Sequence, residues 1–328
     1  MDKRMKDMKS LFDTTTLRST TLKNRAWRSA TWLGLADEEG FVTDAIIDTY
    51  EKLAKGGVAT IVTGLTSISA TDARIGGECK FYNDRFVEGH SRIAEAVHRH
   101  GARILLQTAM VDGPVDELTT AQVDSVVSAF GNAARRAELA GYDGVQIHAA
   151  HFFYLSRFIS PIFNHRTDRY GGAAILPAIL ADMRSKTSAN FLITTKINSS
   201  DGYPGGMDSE KMIASCKLLS DLDAIEVSAN GTSRQGICAG VNEGPFLEAA
   251  TRLAEAVHVP IVLVGGLRSM EFIHRVLNST KIEYVSLSRP LIREPDLIHR
   301  WQRGVTAPSH CVSCNACYNT SGHHCVFQ

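Results

Sequence analysis

The chain has 328 residues, 44% of them hydrophobic, with 35 Lys+Arg balanced by 35 Asp+Glu. That length buries a full core, either as two ordinary domains or as one large α/β barrel. The zero net charge removes the usual electrostatic ground for a nucleic-acid or anionic-membrane partner.

The charged start Met1–Asp7 lacks the apolar region of a signal peptide. Segment Leu11–Asn24, "LFDTTTLRSTTLKN", is expected to form a small hairpin beneath the elements that follow. The first β-rich run is Ala26–Trp32. It is followed by "AIIDTYEKLAKGG", which puts Ile46, Ile47, Tyr50 and Leu53 on one helical face. Val58–Gly64 contains "ATIVTG", a near-continuous apolar run of the kind buried on both faces of a parallel sheet. "FVEGHSRIAEAVHRHG" repeats the helical pattern through Val87, Ile93, Ala94 and Val97 and stops at Gly101. Arg103–Ala109 is the third run, and the longest amphipathic stretch follows, carrying Val123, Val126, Val127, Phe130, Ala134 and Ala137. Asp143–Ala149, Phe191–Ile197, Asp223–Ala229, Pro260–Gly265 and Glu283–Ser288 complete the set.

Eight strand-then-helix alternations over about 280 residues fit an α/β fold of the closed (β/α)8 TIM barrel type. A doubly wound open sheet is the competing arrangement, but no Gly-x-Gly-x-x-Gly follows the first strand. No internal repeat or low-complexity linker interrupts the pattern. Residues 1–305 therefore read as one barrel with its hairpin, and 306–328 as a cysteine-rich tail. No run approaches ~18 consecutive apolar residues, so no membrane span is expected. Seven cysteines, an odd number, suit a reducing cytoplasmic compartment better than a disulfide framework.

In such a barrel the chemistry gathers at the C-terminal ends of the strands. Gln107 ends the third strand, His148 the fourth with His151 close behind, Lys196 the fifth, Gly265-Gly266 the seventh and Ser288-Arg289 the eighth. Taken alone, the Gly-Gly pair is a tight turn and Arg289 is a salt-bridge partner for Glu294. Together, at strands seven and eight, they suit a phosphate: the turn lets backbone amides approach it and the arginine binds it as a charged fork. A lone strand-end histidine is ordinarily structural. His148 and His151 with Gln107 and Lys196 instead form a convergent polar cluster in an apolar mouth, as a cofactor or substrate pocket does. No carboxylate or third ligand stands at a metal-binding spacing from the histidine pair.

The segments "LKNRAWRSATW", "GVQIHAAHFFYLSRFISPIFNHRTDRYGG", "TKINSSDGY", "DAIEVSANG", "PIVLVGGLRS" and "SLSRPLIREPDL" resemble the Old Yellow Enzyme family of FMN-dependent NAD(P)H oxidoreductases. They fall in family order between Leu11 and Arg303. The resemblance implies FMN as cofactor, NADH or NADPH as reductant and a small-molecule acceptor such as an enone or quinone; it leaves room for a homo-oligomer. It implies that Gln107 bonds the pyrimidine side of the flavin and that Lys196 stands beside N1, where a cation tunes the cofactor's electronics. Gly265, Gly266, Ser288 and Arg289 would hold the phosphate, and Ser29, Ala30 and Thr31 would line the ring. His148 and His151 match the family's His-x-x-His/Asn pair, which grips the acceptor oxygen where negative charge develops.

The chain also departs from the family. Phe153 stands where a tyrosine ordinarily protonates carbon, which makes Tyr154 the candidate acid, with water or a non-alkene acceptor as the alternatives. The loop "LQTAMVDGPVDELTT" is short and should open the mouth on one side. Trp32 either packs under the ring edge or narrows the space beside it, and Arg166, Asp168, Arg169 and Tyr170 read as a salt-bridged loop. Cys311, Cys314, Cys317 and Cys325 resemble the linker cysteines of the dienoyl-CoA reductase branch, without that branch's downstream FAD and NADH domains. Four thiols suit zinc or an iron–sulfur cluster. Their spacing is tighter than the branch's cluster pattern, so they are read as free, with zinc ahead of a cluster. The competing functions are a flavin-free lyase or synthase using Lys196 as a Schiff base, and a non-enzymatic redox sensor binding flavin or metal.

Overall fold

The computed structural model describes residues 8–72, 75–231 and 233–327. Among them the strands are β1 (Thr15–Leu17), β2 (Thr20–Leu22), β3 (Ala26–Arg28), β4 (Thr60–Val62), β5 (Thr66–Ser67) and β6 (Cys79–Lys80). They continue as β7 (Arg103–Ala109), β8 (Gly144–Ala149), β9 (Leu192–Asn198), β10 (Ala224–Ser228), β11 (Ile261–Val264) and β12 (Tyr284–Leu287). The helices are α1 (Asp44–Lys55), α2 (Val87–His98), α3 (Thr120–Leu139), α4 (Tyr154–Phe158) and α5 (Ile175–Lys186), then α6 (Ser209–Lys217), α7 (Leu247–Ala256), α8 (Met270–Ser279), α9 (Arg289–Arg293) and α10 (Leu297–Gln302).

Eight strands pair in parallel in the order β4-β3-β12-β11-β10-β9-β8-β7, and β7 pairs back onto β4, closing the sheet. The fold is the expected (β/α)8 TIM barrel. Its outer core lies between sheet and helices, where α1 buries Ile46, Ile47, Tyr50 and Leu53, the face marked by periodicity. α3 starts at a capping box in which Thr119 accepts from the Gln122 N–H and the Gln122 side chain accepts from the Thr119 N–H. The β1–β2 hairpin plugs the barrel floor: Leu17 and Leu22 cluster with Trp27, Val62, Leu105 and Val262.

Two differences from the expected elements shape the mouth. β5 and β6 form a short excursion that extends the sheet past β4, pairing Ser67 with Ala109 and Thr66 with Cys79. The first barrel strand ends at Arg28 instead of Trp32. After the Ser29 N–H bonds to Leu287 O at 3.0 Å, the chain peels away from the sheet, and Thr31 Oγ1 bonds Ser288 Oγ at 2.8 Å. No helix among the described residues is long and apolar enough to cross a membrane.

Candidate active site

Alternation along the strands aims every second side chain into the barrel. Register sets Gln107 beside Gln146, and Lys196 beside both Glu226 and His148. A continuous buried chain of polar groups follows. Gln107 Nε2 donates to Gln146 Oε1 at 2.8 Å, and Gln146 Nε2 to Glu226 Oε2 at 2.8 Å. Ser29 Oγ donates to Glu226 Oε1 at 2.7 Å and accepts from Lys196 Nζ at 2.9 Å. Lys196 Nζ lies 3.6 Å from Glu226 Oε1.

Next to this chain is a cavity of about 330 Å³, within the usual range of small-molecule sites. Ser29, Ala30 and Thr31 form one wall, Lys196 and His151 meet it, and Gly265, Gly266, Ser288 and Arg289 close the far end. Gly265 and Gly266 have φ of 97° and 69°, a region that favours glycine. A Cβ on them would press on Phe246 at 2.8 Å and on Pro245 at 2.7 Å, so only glycine lets this turn pack. Gln107 and His148 are buried just outside these walls.

The far end carries an unbalanced positive charge. Arg289 and Arg268 are both buried and both line the cavity, and among the described residues neither is in an ion pair within 4.0 Å. Glu294, the salt-bridge partner that sequence offered for Arg289, is taken by Arg300 at 3.0 Å and His310 at 3.2 Å. Arg289 donates instead to Arg234 O at 2.8 Å and to Asn315 Oδ1, and Arg268 to Leu267 O and Ser313 Oγ, both at 2.8 Å. Among the described residues, the buried Arg268 Nε has no hydrogen-bond partner. Burial, with a smaller contribution from Arg289, lowers the Arg268 pKa from its usual value. Glu243, which accepts the Arg268 backbone N–H, partly offsets the charge of Arg268; desolvated cations outside ion pairs remain costly, and an anion in the cavity would relieve that cost.

The histidine pair stands at the end of β8 with rings 5.3 Å apart. His151 (φ 63°) and Phe152 (φ 60°) are successive left-handed residues, a strained conformation that concentrates at functional sites. Ser228 Oγ and Asn198 Oδ1 fix this turn, bonding His151 Nε2 at 2.8 Å and the His151 N–H at 3.1 Å. His148 Nδ1 is buried without a hydrogen-bond partner among the described residues. Burial, then the charge of Lys196, pushes His148 down to about 3, and burial holds His151 well below the usual histidine value. Both rings are therefore neutral near pH 7, each with one N–H donor and one acceptor nitrogen.

A pH dependence of stability follows. The unfolded imidazole titrates near ~6.5, above the folded value of about 3 for His148. The unfolded state thus binds more protons in between, and stability present above pH ~6.5 is lost as pH falls toward the folded value. His90, also pushed down to about 3 by burial, acts in the same direction. Thermal melts should drop between pH 7 and pH 5, with a shallower drop in His148→Gln; equal slopes in the two proteins would contradict the burial of His148.

Tyr154 is not brought to the histidines. Phe153 is the extended residue that precedes α4, and its ring packs on His148 at 4.8 Å. The helix then turns Tyr154 inward, edge-on to Phe158 at 5.7 Å, and burial pushes its phenol up to about 12. The Arg166–Asp168 pair buttresses the following loop, where Arg166 also donates to Val115 O at 2.8 Å and Leu118 O at 2.6 Å.

The tail adds residues that strand-end reasoning missed. Asn315 Nδ2 bonds Ser233 O at 2.7 Å, and Tyr318 and His323 line the cavity. The His323 ring meets Trp32 edge-on at 5.1 Å and Tyr318 at 5.0 Å, so Trp32 is both a wall and a packing surface. Cys311, Cys314, Cys317 and Cys325 line a separate small cavity beside Arg289 and Arg293. Among the described residues, no three His, Cys, Asp or Glu side chains are grouped to hold a metal. Arg268 had a sequence signal in its place two residues after the Gly-Gly turn. Gln146 and Glu226 had one too, as polar residues interrupting apolar strands.

The model of the NADH:flavin oxidoreductase / NADH oxidase family matches residues 10–114 and 112–307. The chain belongs to this family. As a member it is an FMN-dependent NAD(P)H oxidoreductase, as the Old Yellow Enzyme resemblance implied. It is 26% identical to a 4,4'-dithiodibutanoate disulfide reductase of Rhodococcus erythropolis, with 97% of this chain and 95% of that protein covered. It is 28% identical to a metal reductase of Desulforamulus reducens, covering 94% of this chain and about half (51%) of that protein's length. Among solved structures it resembles an old yellow enzyme homologue from Zymomonas mobilis, with a TM-score of 0.79, 21% identity and 97% of both chains covered.

FMN fits the residues present in this NADH:flavin oxidoreductase family member. Arg268, Arg289 and the glycine turn would hold its phosphate, and the wall from Ser29 to Thr31 with Lys196 would receive its ring. Tyr318 and His323 would close the cavity over it. Tyr318→Ala should speed FMN release roughly two- to tenfold, the equivalent of one aromatic edge contact, followed as recovery of free-flavin fluorescence on dilution.

Proposed function

We propose that this oxidoreductase passes electrons to small, flat, electron-poor acceptors whose oxygen is gripped by His148 and His151, and that quinones suit it better than simple enones. FMN, when bound, would supply the hydride-transfer chemistry between nicotinamide and acceptor. The residues around it bind and orient. Arg268 and Arg289 would hold the phosphate, Gln107 and Lys196 would serve the pyrimidine edge, and the neutral imidazoles would donate to the acceptor oxygen.

The observation that carries the acceptor preference is the packing of Phe153 on His148, with Tyr154 buried elsewhere. The side chain packed on His148 is a phenylalanine, which has no proton to give a carbon, whereas a quinone is protonated on oxygen, which water can do. The match of the NADH:flavin oxidoreductase family model over residues 10–114 and 112–307 supports the flavin reading over the flavin-free lyase.

The test is an anaerobic titration of the yellow protein with NADH and with NADPH, followed by a panel of quinones and enones. Bleaching by a nicotinamide and faster reoxidation by quinones are expected. Protein that carries no flavin, or that is reoxidised faster by cyclohexenone than by a quinone, contradicts the proposal.

A further inference from the structure

Glu226 is a fully buried carboxylate that the reaction itself does not use. Its two oxygens take hydrogen bonds from Gln146 and Ser29 at 2.8 and 2.7 Å, so its position is set from both sides. Lys196 Nζ stands 3.6 Å away, beyond hydrogen-bond length, and gives its one short bond to Ser29. The ammonium, with three N–H donors, is therefore oriented through Ser29, which itself donates to Glu226, and feels the carboxylate's charge without a hydrogen bond to it. The polar chain ends at Gln107 on one side and Lys196 on the other, the two groups read as facing the same edge of the flavin. A buried ion pair is weak evidence for a stabilising role, because desolvation consumes much of the attraction. In a low-dielectric interior the field of such a charge is strong.

We infer that Glu226 is a positioning residue for Lys196 that also offsets its charge, and so holds the reduction potential of bound FMN below the value Lys196 alone would set. This rests on the reading of FMN above Lys196. Reduction places negative charge on the ring beside the ammonium. A fixed carboxylate behind that ammonium opposes the gain, and removing its charge favours the reduced cofactor. Gln107, Gln146 and Ser29 carry no charge, which leaves Glu226 and Lys196 as the opposed pair in this chain.

The experiment measures the potential of the FMN-loaded protein by equilibration with reference dyes. Glu226→Gln keeps the shape and removes the charge. At a fixed ambient potential it should shift the reduced-to-oxidised ratio at least tenfold toward reduced, about 30 mV for a two-electron couple. Lys196→Met should shift it the opposite way. Should the amide variant fail to fold, Glu226→Asp withdraws the charge by one methylene and should move the potential in the same direction by less. A potential that is unchanged or lower in the glutamine variant, with FMN still bound, overturns this inference alone. Wild-type protein without FMN overturns the proposed function, and this inference with it.

Discussion

Arg289→Ala should release FMN from an otherwise folded barrel. The guanidinium is buried at the end of the cavity, is in no ion pair among the described residues, and is held by one backbone carbonyl and the Asn315 side chain. A phosphate would accept two charge-assisted bonds from such a fork. Each is worth ~1.5–3 kcal/mol, so losing both weakens FMN binding by roughly 10²–10⁴-fold. Fluorescence titration of flavin-stripped protein measures this, and circular dichroism checks that the barrel survives. Arg289→Lys keeps the charge and loses the planar fork, so it should fall between wild type and alanine. Full FMN occupancy in the alanine variant would remove Arg289 from the phosphate site and leave Arg268 as the remaining cation there.

Phe153→Tyr should raise the turnover of simple enones and leave that of quinones nearly unchanged. The Phe153 ring already lies against His148, 4.8 Å between centroids, so a phenol at this position carries a hydroxyl to the neighbourhood of the acceptor. A positioned general acid typically contributes ~10²–10⁴-fold, and the gain applies only where carbon is protonated. Comparing cyclohexenone with a quinone in steady state separates the two effects. Tyr154→Phe is the control: with the Tyr154 ring packed on Phe158, its loss should leave enone reduction almost unchanged. A steep fall in that variant would make Tyr154 the acid and refute this assignment.

Periodicity located every barrel strand and the buried face of α1, because a parallel strand covered on both sides must be apolar and a helix on a barrel needs one apolar stripe. Edges were less legible. Ala26–Trp32 read as one run, yet the sheet releases the chain after Arg28. Hydrophobic pattern does not distinguish a strand end from a cavity wall. β5 and β6, each two residues long, carry too few positions to show a period.

Positions at strand ends were legible in the same way. Ser29 to Thr31, Lys196, Gly265, Gly266, Ser288 and Arg289 follow the strands that place them around one cavity, and the histidine spacing marked the end of β8. The sequence alone thus determined the barrel, the strand-end residues that line the cavity, and the absence of a tyrosine at position 153. Tertiary structure decided which groups meet. Barrel register joined Gln107, Gln146, Glu226 and Ser29 into one chain from four different strand regions. The turn into α4 sent Tyr154 into the core while Phe153 faced His148. Competition among partners gave Glu294 to Arg300 and left Arg289 for the cavity, and the tail folded back to place Tyr318 and His323 on its wall. Local pattern fixes which side of an element is apolar, because that depends on residues three or four positions apart. Contacts between separate strands, such as Gln107–Gln146 and Ser29–Glu226, depend on how the strands stagger when the sheet closes, and no local stretch records that.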